Sequence, residues 1–475
     1  MNNFENHISA ISLQEQVLQP HDIGRIATSP LFSGLHCAWF FGIVELVTVL
    51  INSESHEVDQ QDCVGRTPFA WAARNGHVGV VKVLLERKNV DPNRPDKYDL
   101  TPLGWSAIEG HEGMVKLLLR LANIDPDRPD KDGDGPLGLA ASCGHEGVVK
   151  LLLDRGDVDR NRPGINDQTP LASAARNGHE GVVKLLLEQE NVDPNRPNKN
   201  GRTPLGCAAL KGHEGVVKLL LDWGDVDPNC VDRDGDGLLG CAAFKGHEGV
   251  VKLLPERDNV DVNHPGMNDR TPLGWAAFKG HEGVVKLLLE RKDVDPNRPD
   301  EDGRTPLGWA AIEGHGRVVK LLLERENVDP NRPEKNDRTP LGLAATEGHE
   351  RVVKLLLGRE NVDPNRPDKD GYGPLGLAAF YGHEGVIKLL LEQENIDLNH
   401  QDSNDRTLLG WAALKGHKGA VKLLLQRGDV DPNCPDKYGG TPLSHALGKG
   451  HGSIVQLLQS RKSIATPDPQ LPHHL

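Results

Sequence analysis

No apolar run in the sequence reaches the roughly 18 residues that a membrane-crossing helix requires. The N-terminal stretch carries Glu5, His7 and Glu15 between short apolar pieces, so it lacks the uninterrupted apolar stretch of a secretory signal. The expectation is a cytoplasmic or nuclear chain without a membrane partner. Cysteine is scarce, and Cys37, Cys63, Cys143, Cys207, Cys230, Cys241 and Cys434 form an odd set with no C-x-x-C pair. That argues against a disulfide framework and against a zinc site, and for a reducing compartment. Positive charge is also in deficit: 55 Lys and Arg face 69 Asp and Glu, a formal charge of −14. A field of that sign repels nucleic acid and anionic lipid. Missing too are a Walker-type phosphate loop, a nucleophile elbow and a Gly-rich dinucleotide turn. These absences predict a chain with no catalytic residues, metal, cofactor, small-molecule substrate or nucleic-acid partner.

What is present is repetition. Thr67, Thr101, Thr169, Thr203, Thr271, Thr305, Thr339, Thr407 and Thr441 fall on one 34-residue lattice, with Gly135, Gly237 and Gly373 at the intervening points. That makes twelve units in register, and one step back reaches Ser33, where S-G-L-H-C-A-W-F-F-G-I-V-E-L-V keeps the apolar pattern of a divergent thirteenth. A fixed short period replaces the usual division of such a length into globular domains.

The unit beginning at Thr305 shows how the local chemistry works. Thr305 is suited to cap a helix, Pro306 to its first position, and Gly314 to its left-handed end. Helix A should therefore be about two turns long. Val318, Val319, Leu322 and Leu323 then form an amphipathic stripe, with Lys320 and Glu324 on the other side, which predicts helix B. Residues 327–338 are rich in Asn, Asp and Pro and read as an extended finger-like turn. Helices this short are marginal alone, so each unit must draw its stability from stacking on its neighbours.

The pattern T-P-L-x-x-A-A-x-x-G-H-x-x-V-V-K-L-L-L resembles the ankyrin repeat over about residues 33 to 460. The resemblance implies an all-α solenoid of stacked helix-turn-helix units with projecting fingers, a concave face lined by fingers and helices A, and binding of protein partners there. The near-identical units and the N-V-D-P-N finger are similar to large fungal ankyrin proteins. The expected organisation is an N-terminal segment over 1–30 with a capping helix within residues 4–19, an array over 31–463 ending in a polar capping unit, and a disordered tail over 464–475. Two departures from the family pattern stand out. The fourth residue, usually His, is Gly at Gly104, Gly138, Gly206, Gly240, Gly274, Gly308, Gly342, Gly376 and Gly410, which should weaken each unit. Pro255 replaces a helix B leucine and should shorten or kink that helix.

Several motifs invite chemistry. A histidine follows Gly in every complete unit, from His77 to His451, but units roughly 10 Å apart cannot share a metal whose ligands must lie about 2 Å from it. Structural hydrogen bonding is the expected role. His281-Glu282 begins an H-E-x-x-H pattern that Val285 breaks. Arg155-Gly156-Asp157 and Arg427-Gly428-Asp429 spell an adhesion tripeptide at helix-to-finger junctions, too short a match to carry weight. Arg94, Arg128, Arg162, Arg196, Arg298, Arg332 and Arg366 share one finger position beside aspartates, and read as a solvated finger face.

The units differ most in the two residues before Gly-His, which the family resemblance places on the concave groove. Leu210, Phe244 and Phe278, with Ile312, Phe380 and Tyr381 further on, form the expected apolar wall, and Lys211, Lys245 and Lys279 flank it. An apolar strip with a charged rim is the mark of a partner site. The function expected is a non-enzymatic scaffold or adaptor; the alternative is a recognition array serving a signalling ATPase or enzyme whose catalytic domain lies elsewhere. Block duplication also leaves its trace, because Gly135 and Gly237 are 102 residues apart, as are the turns P-G-I-N-D-Q-T-P and P-G-M-N-D-R-T-P.

Overall fold

The threonine of each unit has an extended backbone, and its hydroxyl accepts the amide three residues on; Thr305 Oγ1 takes Gly308 N–H at 3.1 Å. Proline at the first helical position gives up a donor the helix would not have used. At the other end Gly144, Gly178, Gly212, Gly280 and their equivalents take positive φ, which glycine tolerates without strain. The result is a helix A of seven or eight residues, such as Pro170–Asn177 or Pro306–Ile312. Where Gly135, Gly237 and Gly373 replace threonine, the helix starts without a side-chain cap. The following histidine reverses the chain, its amide bonding back into helix A, as His145 N–H does to Ala140 O at 3.1 Å. Helix B then runs for about eight residues, as in Glu146–Leu153 and Gly316–Leu323.

The computed structural model describes residues 41–52, 59–87, 89–254 and 260–462. They divide into two compact units, 1–233 and 234–475, each an all-α repeat solenoid. In the first, helix A Pro170–Asn177 packs between Pro136–Cys143 and Pro204–Lys211; in the second, Pro306–Ile312 packs between Pro272–Lys279 and Pro340–Glu347. Val318, Val319 and Leu322 of the expected helix B stripe are fully buried, as are Leu307, Ala310 and Ala311 of the helix A that packs against it. Among the described residues the fingers form no strand beyond isolated bridges such as Gln401 to Thr407, so each finger is an extended turn. That turn is closed by pairs such as Asp300 N–H to Arg304 O and Gly303 N–H to Asp300 O, both 2.9 Å.

The asparagine ending N-V-D-P-N holds consecutive fingers together. Asn297 Nδ2 donates to Asn327 O at 2.6 Å, and its Oδ1 accepts from Asp329 N–H at 2.8 Å. Asn161, Asn195, Asn263, Asn331, Asn365 and Asn399 repeat the clamp. Nothing local to one finger signals this, because the partner is thirty residues away.

Helix B before Pro255 is six residues long, Glu248–Leu253, against eight in Glu282–Leu289. Pro255 itself lies outside the described residues, as do the segment 4–19, Ser33, Trp39, Phe40 and residues 464–475. The Pro255→Leu protein is expected to unfold more cooperatively, because units interact only with neighbours and one poor joint separates an array into independent parts. Urea transitions followed by circular dichroism and by tryptophan fluorescence should coincide better in the variant than in the parent; identical curves for both proteins would exclude a weak joint.

The glycines at the fourth position are buried in helix A, and at Gly308 and Gly342 an added Cβ would meet its nearest neighbour, Leu343 Cδ1 or Leu377 Cδ1, at an ordinary 3.5 Å. Gly308→Ala and Gly342→Ala should therefore each stabilise the second unit by about 0.5–1 kcal/mol, through the lower entropy of the unfolded chain and better helix propensity. A denaturation midpoint that fails to rise in the double variant would mean that the tertiary fit, not propensity, governs these positions.

Candidate interaction surface

The variable pair before Gly-His closes helix A, and the histidine of the following unit holds it in place. His281 Nε2 lies 3.1 Å from Phe244 O, His315 Nε2 3.1 Å from Phe278 O, His349 Nε2 2.8 Å from Ile312 O, and His417 Nε2 2.9 Å from Phe380 O. A carbonyl only accepts, so Nε2 carries the proton in each case. Each histidine ring also packs on the glycine of the preceding unit, where a Cβ would collide with it. The histidine row is thus a set of rungs between units, as the spacing argument expects. Its consequence for the site is that the backbone beneath each variable side chain is pinned.

In the second unit this pinning supports an aromatic and cationic wall. Phe244 and Phe278 are half-buried, whereas Lys245 and Lys279 are exposed. Phe244 meets Trp275 edge-on at 5.0 Å between centroids, and Phe278 lies 6.0 Å from Trp275 and 4.9 Å from Trp309. Arg270 fills the space between the rings, its guanidinium 4.2 Å from Trp275, 4.7 Å from Phe278 and 4.1 Å from Trp309. Burial pulls the Arg270 pKa below its usual value, while Asp300, 3.6 Å away, opposes the shift. The phenylalanines therefore pack into the stack as well as lining a surface, which the sequence pattern alone did not show. Ile312 is half-buried at the next helix end.

A second aromatic group surrounds Phe380, which lies 4.8 Å from Trp411, 5.9 Å from Tyr372 and 4.9 Å from Tyr381. Tyr381 is 45% exposed, and Lys415 Nζ sits 4.2 Å from the Phe380 ring. Burial, and after it Asp402, raises the pKa of Tyr372, so this phenol stays neutral. Leu210, half-buried, and Lys211, exposed, close helix Pro204–Lys211 in the first unit. The expected strip is thus distributed over both compact units, with Phe244, Lys245, Phe278, Lys279, Ile312, Phe380 and Tyr381 in the second.

Sequence reasoning missed a series of largely buried ion pairs within each unit. The residue before the capping threonine is often arginine, and its partner is the acidic residue thirty positions on: Arg202 with Asp232 at 2.8 Å, Arg338 with Asp368 at 2.9 Å and Arg406 with Asp436 at 2.9 Å. The same acidic residues receive indole or imidazole nitrogens, as Asp300 does from Trp309 at 2.8 Å and Asp436 from His445 at 2.9 Å. The thirty-residue spacing between the arginine before the capping threonine and the aspartate of the next finger was the available signal. Asp134 and Asp236 occupy the arginine position in two units, and there the facing residue is Gly164 or Gly266, whose missing side chain leaves room for the carboxylate. Ile165 N–H donates to Asp134 at 3.1 Å and Met267 N–H to Asp236 at 3.0 Å. The two P-G-x-N-D turns are therefore paired with the aspartates before them.

The remaining motifs resolve into structural contacts. Arg155 pairs with Asp157 of its own tripeptide and donates to Leu119 O at 2.7 Å, and Arg427 lies 3.5 Å from Asp429. Of the finger arginines, Arg94 pairs with Asp59 at 2.8 Å, while Arg128, Arg196 and Arg366 donate to the carbonyl oxygens of Asn93, Asn161 and Asn331 in the preceding finger. No helix among the described residues is long and apolar enough to cross a membrane.

A family model described as ankyrin repeats in three copies matches the chain in overlapping stretches, 35–130, 88–162, 121–198, 137–232, 183–265, 238–334, 290–368, 326–402 and 375–468. A search of the curated proteins finds no match.

Proposed function

Because the chain belongs to the ankyrin-repeat family, whose repeats are generally non-catalytic protein–protein interaction modules, we propose that it is a scaffold or adaptor that binds a partner protein along the helix A ends of its array. The observation that carries this reading is the pair Phe244 and Phe278, large aromatic side chains left half-exposed on a pinned backbone with lysines beside them. Aromatic anchors on rigid supports are what binding hot spots are made of, because little conformational entropy remains to be lost. Lys245, Lys279, Ile312, Phe380 and Tyr381 belong to the same proposed surface of the second unit, and Leu210 and Lys211 are the corresponding binding residues proposed for the first. No nucleic acid, cofactor, metal or small-molecule substrate enters this reading, and it sits in a reducing, cytoplasmic or nuclear setting. The test is affinity capture from the source cells with the parent chain and with Phe244→Asp/Phe278→Asp, followed by mass spectrometry. A protein captured by the parent and lost with the variant supports the reading; the same protein recovered equally by both sinks it.

A further inference from the structure

The first four helix A ends of the second unit carry charge in two blocks, before Tyr381, Lys415 and Lys449 end the remaining three. Lys245 and Lys279 come first, and Glu313 and Glu347 follow in the next two repeats, all four exposed. At two neighbouring helix ends of the first unit the charges close on each other, Arg74 Nε lying 3.1 Å from Glu109 Oε1. Among the described residues none of the four in the second unit has an ion pair. The lysines rest on rings instead: Lys279 Nζ lies 4.9 Å from the Phe244 ring and 4.7 Å from Phe278, and Lys245 Nζ 5.1 Å from Phe244.

A lysine over a ring gains about as much as one in an exposed ion pair, so Lys279 loses little by leaving Glu313 alone. The arrangement keeps two cations beside the apolar anchors and two carboxylates further along, each open to an external counter-charge. We propose, resting on the groove reading above, that this wall takes an extended peptide segment of a partner protein whose charge is split, an acidic half lying on Lys245 and Lys279 and a basic half on Glu313 and Glu347. A uniformly acidic ligand, nucleic acid included, meets repulsion at Glu313 and Glu347, and a uniformly basic one meets it at the lysines. Repeats spaced by roughly 8–10 Å and an extended chain rising about 3.3 Å per residue match one charge to every third residue, a segment of about twelve.

The experiment uses the full chain and labelled twelve-residue synthetic peptides that share the same leucines. One pair carries Asp at every third position in one half and Lys in the other, in the two opposite chain directions; the controls carry all Asp or all Lys at those positions. Fluorescence anisotropy should show one split peptide binding at least tenfold more tightly than either control, with the advantage shrinking in high salt. Lys245→Glu/Lys279→Glu should move the preference to the all-Lys peptide. Equal binding of the all-Asp peptide, an order unchanged by that charge reversal, or no binding of any peptide overturns the proposal. The Phe244→Asp/Phe278→Asp chain separates the two readings. If it loses every peptide while the charge order fails, the groove stands and the split-charge partner falls; if it binds peptides as well as the parent, the groove reading falls with it.

Discussion

Asp134→Asn should stabilise the protein at pH 7.5, and its advantage should vanish below about pH 4. Burial is the main force raising the Asp134 pKa to about 7, and the neighbouring Asp130 and Asp132 add to it, against the Ile165 amide that favours the carboxylate. In the unfolded chain the group titrates near 3.9. Below that value both states hold the proton and the native state bears no penalty. As pH rises from about 4 to about 7 the unfolded chain releases its proton first, so stability falls across that window. Above about 7 the full cost of burying the charge is present, up to about 4 kcal/mol for a shift of roughly three units. Asp130, raised by burial to about 6, titrates in the same window and steepens the slope. Asparagine keeps an oxygen for the Ile165 amide and removes the charge. Melting curves from pH 4 to 8, with hydrogen exchange over residues 130–168, provide the measurement; equal pH slopes in parent and variant would refute the argument.

The second unit should behave oppositely at its far end. Burial raises the Asp436 pKa, but hydrogen bonds from Arg406, the Gly440 and Tyr438 amides and His445 outweigh it and hold the group at about 2. A depressed carboxylate contributes stability above its unfolded value and loses it as pH falls from about 4 to 2. The two carboxylates thus act in opposite directions, because Asp134 is buried with only amide donors and other carboxylates acting on it, whereas Asp436 receives the Arg406 guanidinium and the His445 imidazole.

Phe244→Asp/Phe278→Asp should abolish partner binding while leaving most of the helical signal. Full desolvation of each ring on binding would contribute about 1.5–3 kcal/mol, so loss of both is worth more than a hundredfold in affinity. The structure adds a second effect, because Phe278 contacts Trp275, Trp309 and Arg270 within the stack. Some loss of thermal stability in the second unit is therefore expected alongside the binding defect. Phe244→Leu/Phe278→Leu separates the two, since leucine keeps apolar packing and part of the anchor. Binding should weaken in the leucine variant and vanish in the aspartate variant, with both folded by circular dichroism. Unchanged binding in the aspartate variant would mean that these rings serve packing alone.

How much of this was legible follows from the range of each interaction. Thr305, Pro306 and Gly314 act within their own helix, and Val318, Val319, Leu322 and Leu323 act by period, so caps, helix lengths and buried faces could be read directly from the chain. The 34-residue lattice likewise determined the solenoid, because near-identical short helices have nothing to bury against except each other. The histidine row was readable as structural for the same reason, its spacing being too wide for a shared metal.

Other features depended on contacts between units, and only the tertiary structure decided them. Arg202 and Asp232, or Asn297 and the backbone of Asp329, are about thirty residues apart and meet only because one finger lies on the next. Lys279 lies on Phe278 instead of pairing with Glu313, and because the two interactions are of similar strength the sequence alone gave no reason to choose between them. Asp134 shows the same limit: its sequence neighbours give no cause for a raised pKa as large as the one that burial against the following turn produces. Local chemistry determined the helices and their register, while the packing of one repeat on the next decided which charges are neutralised and which are left exposed.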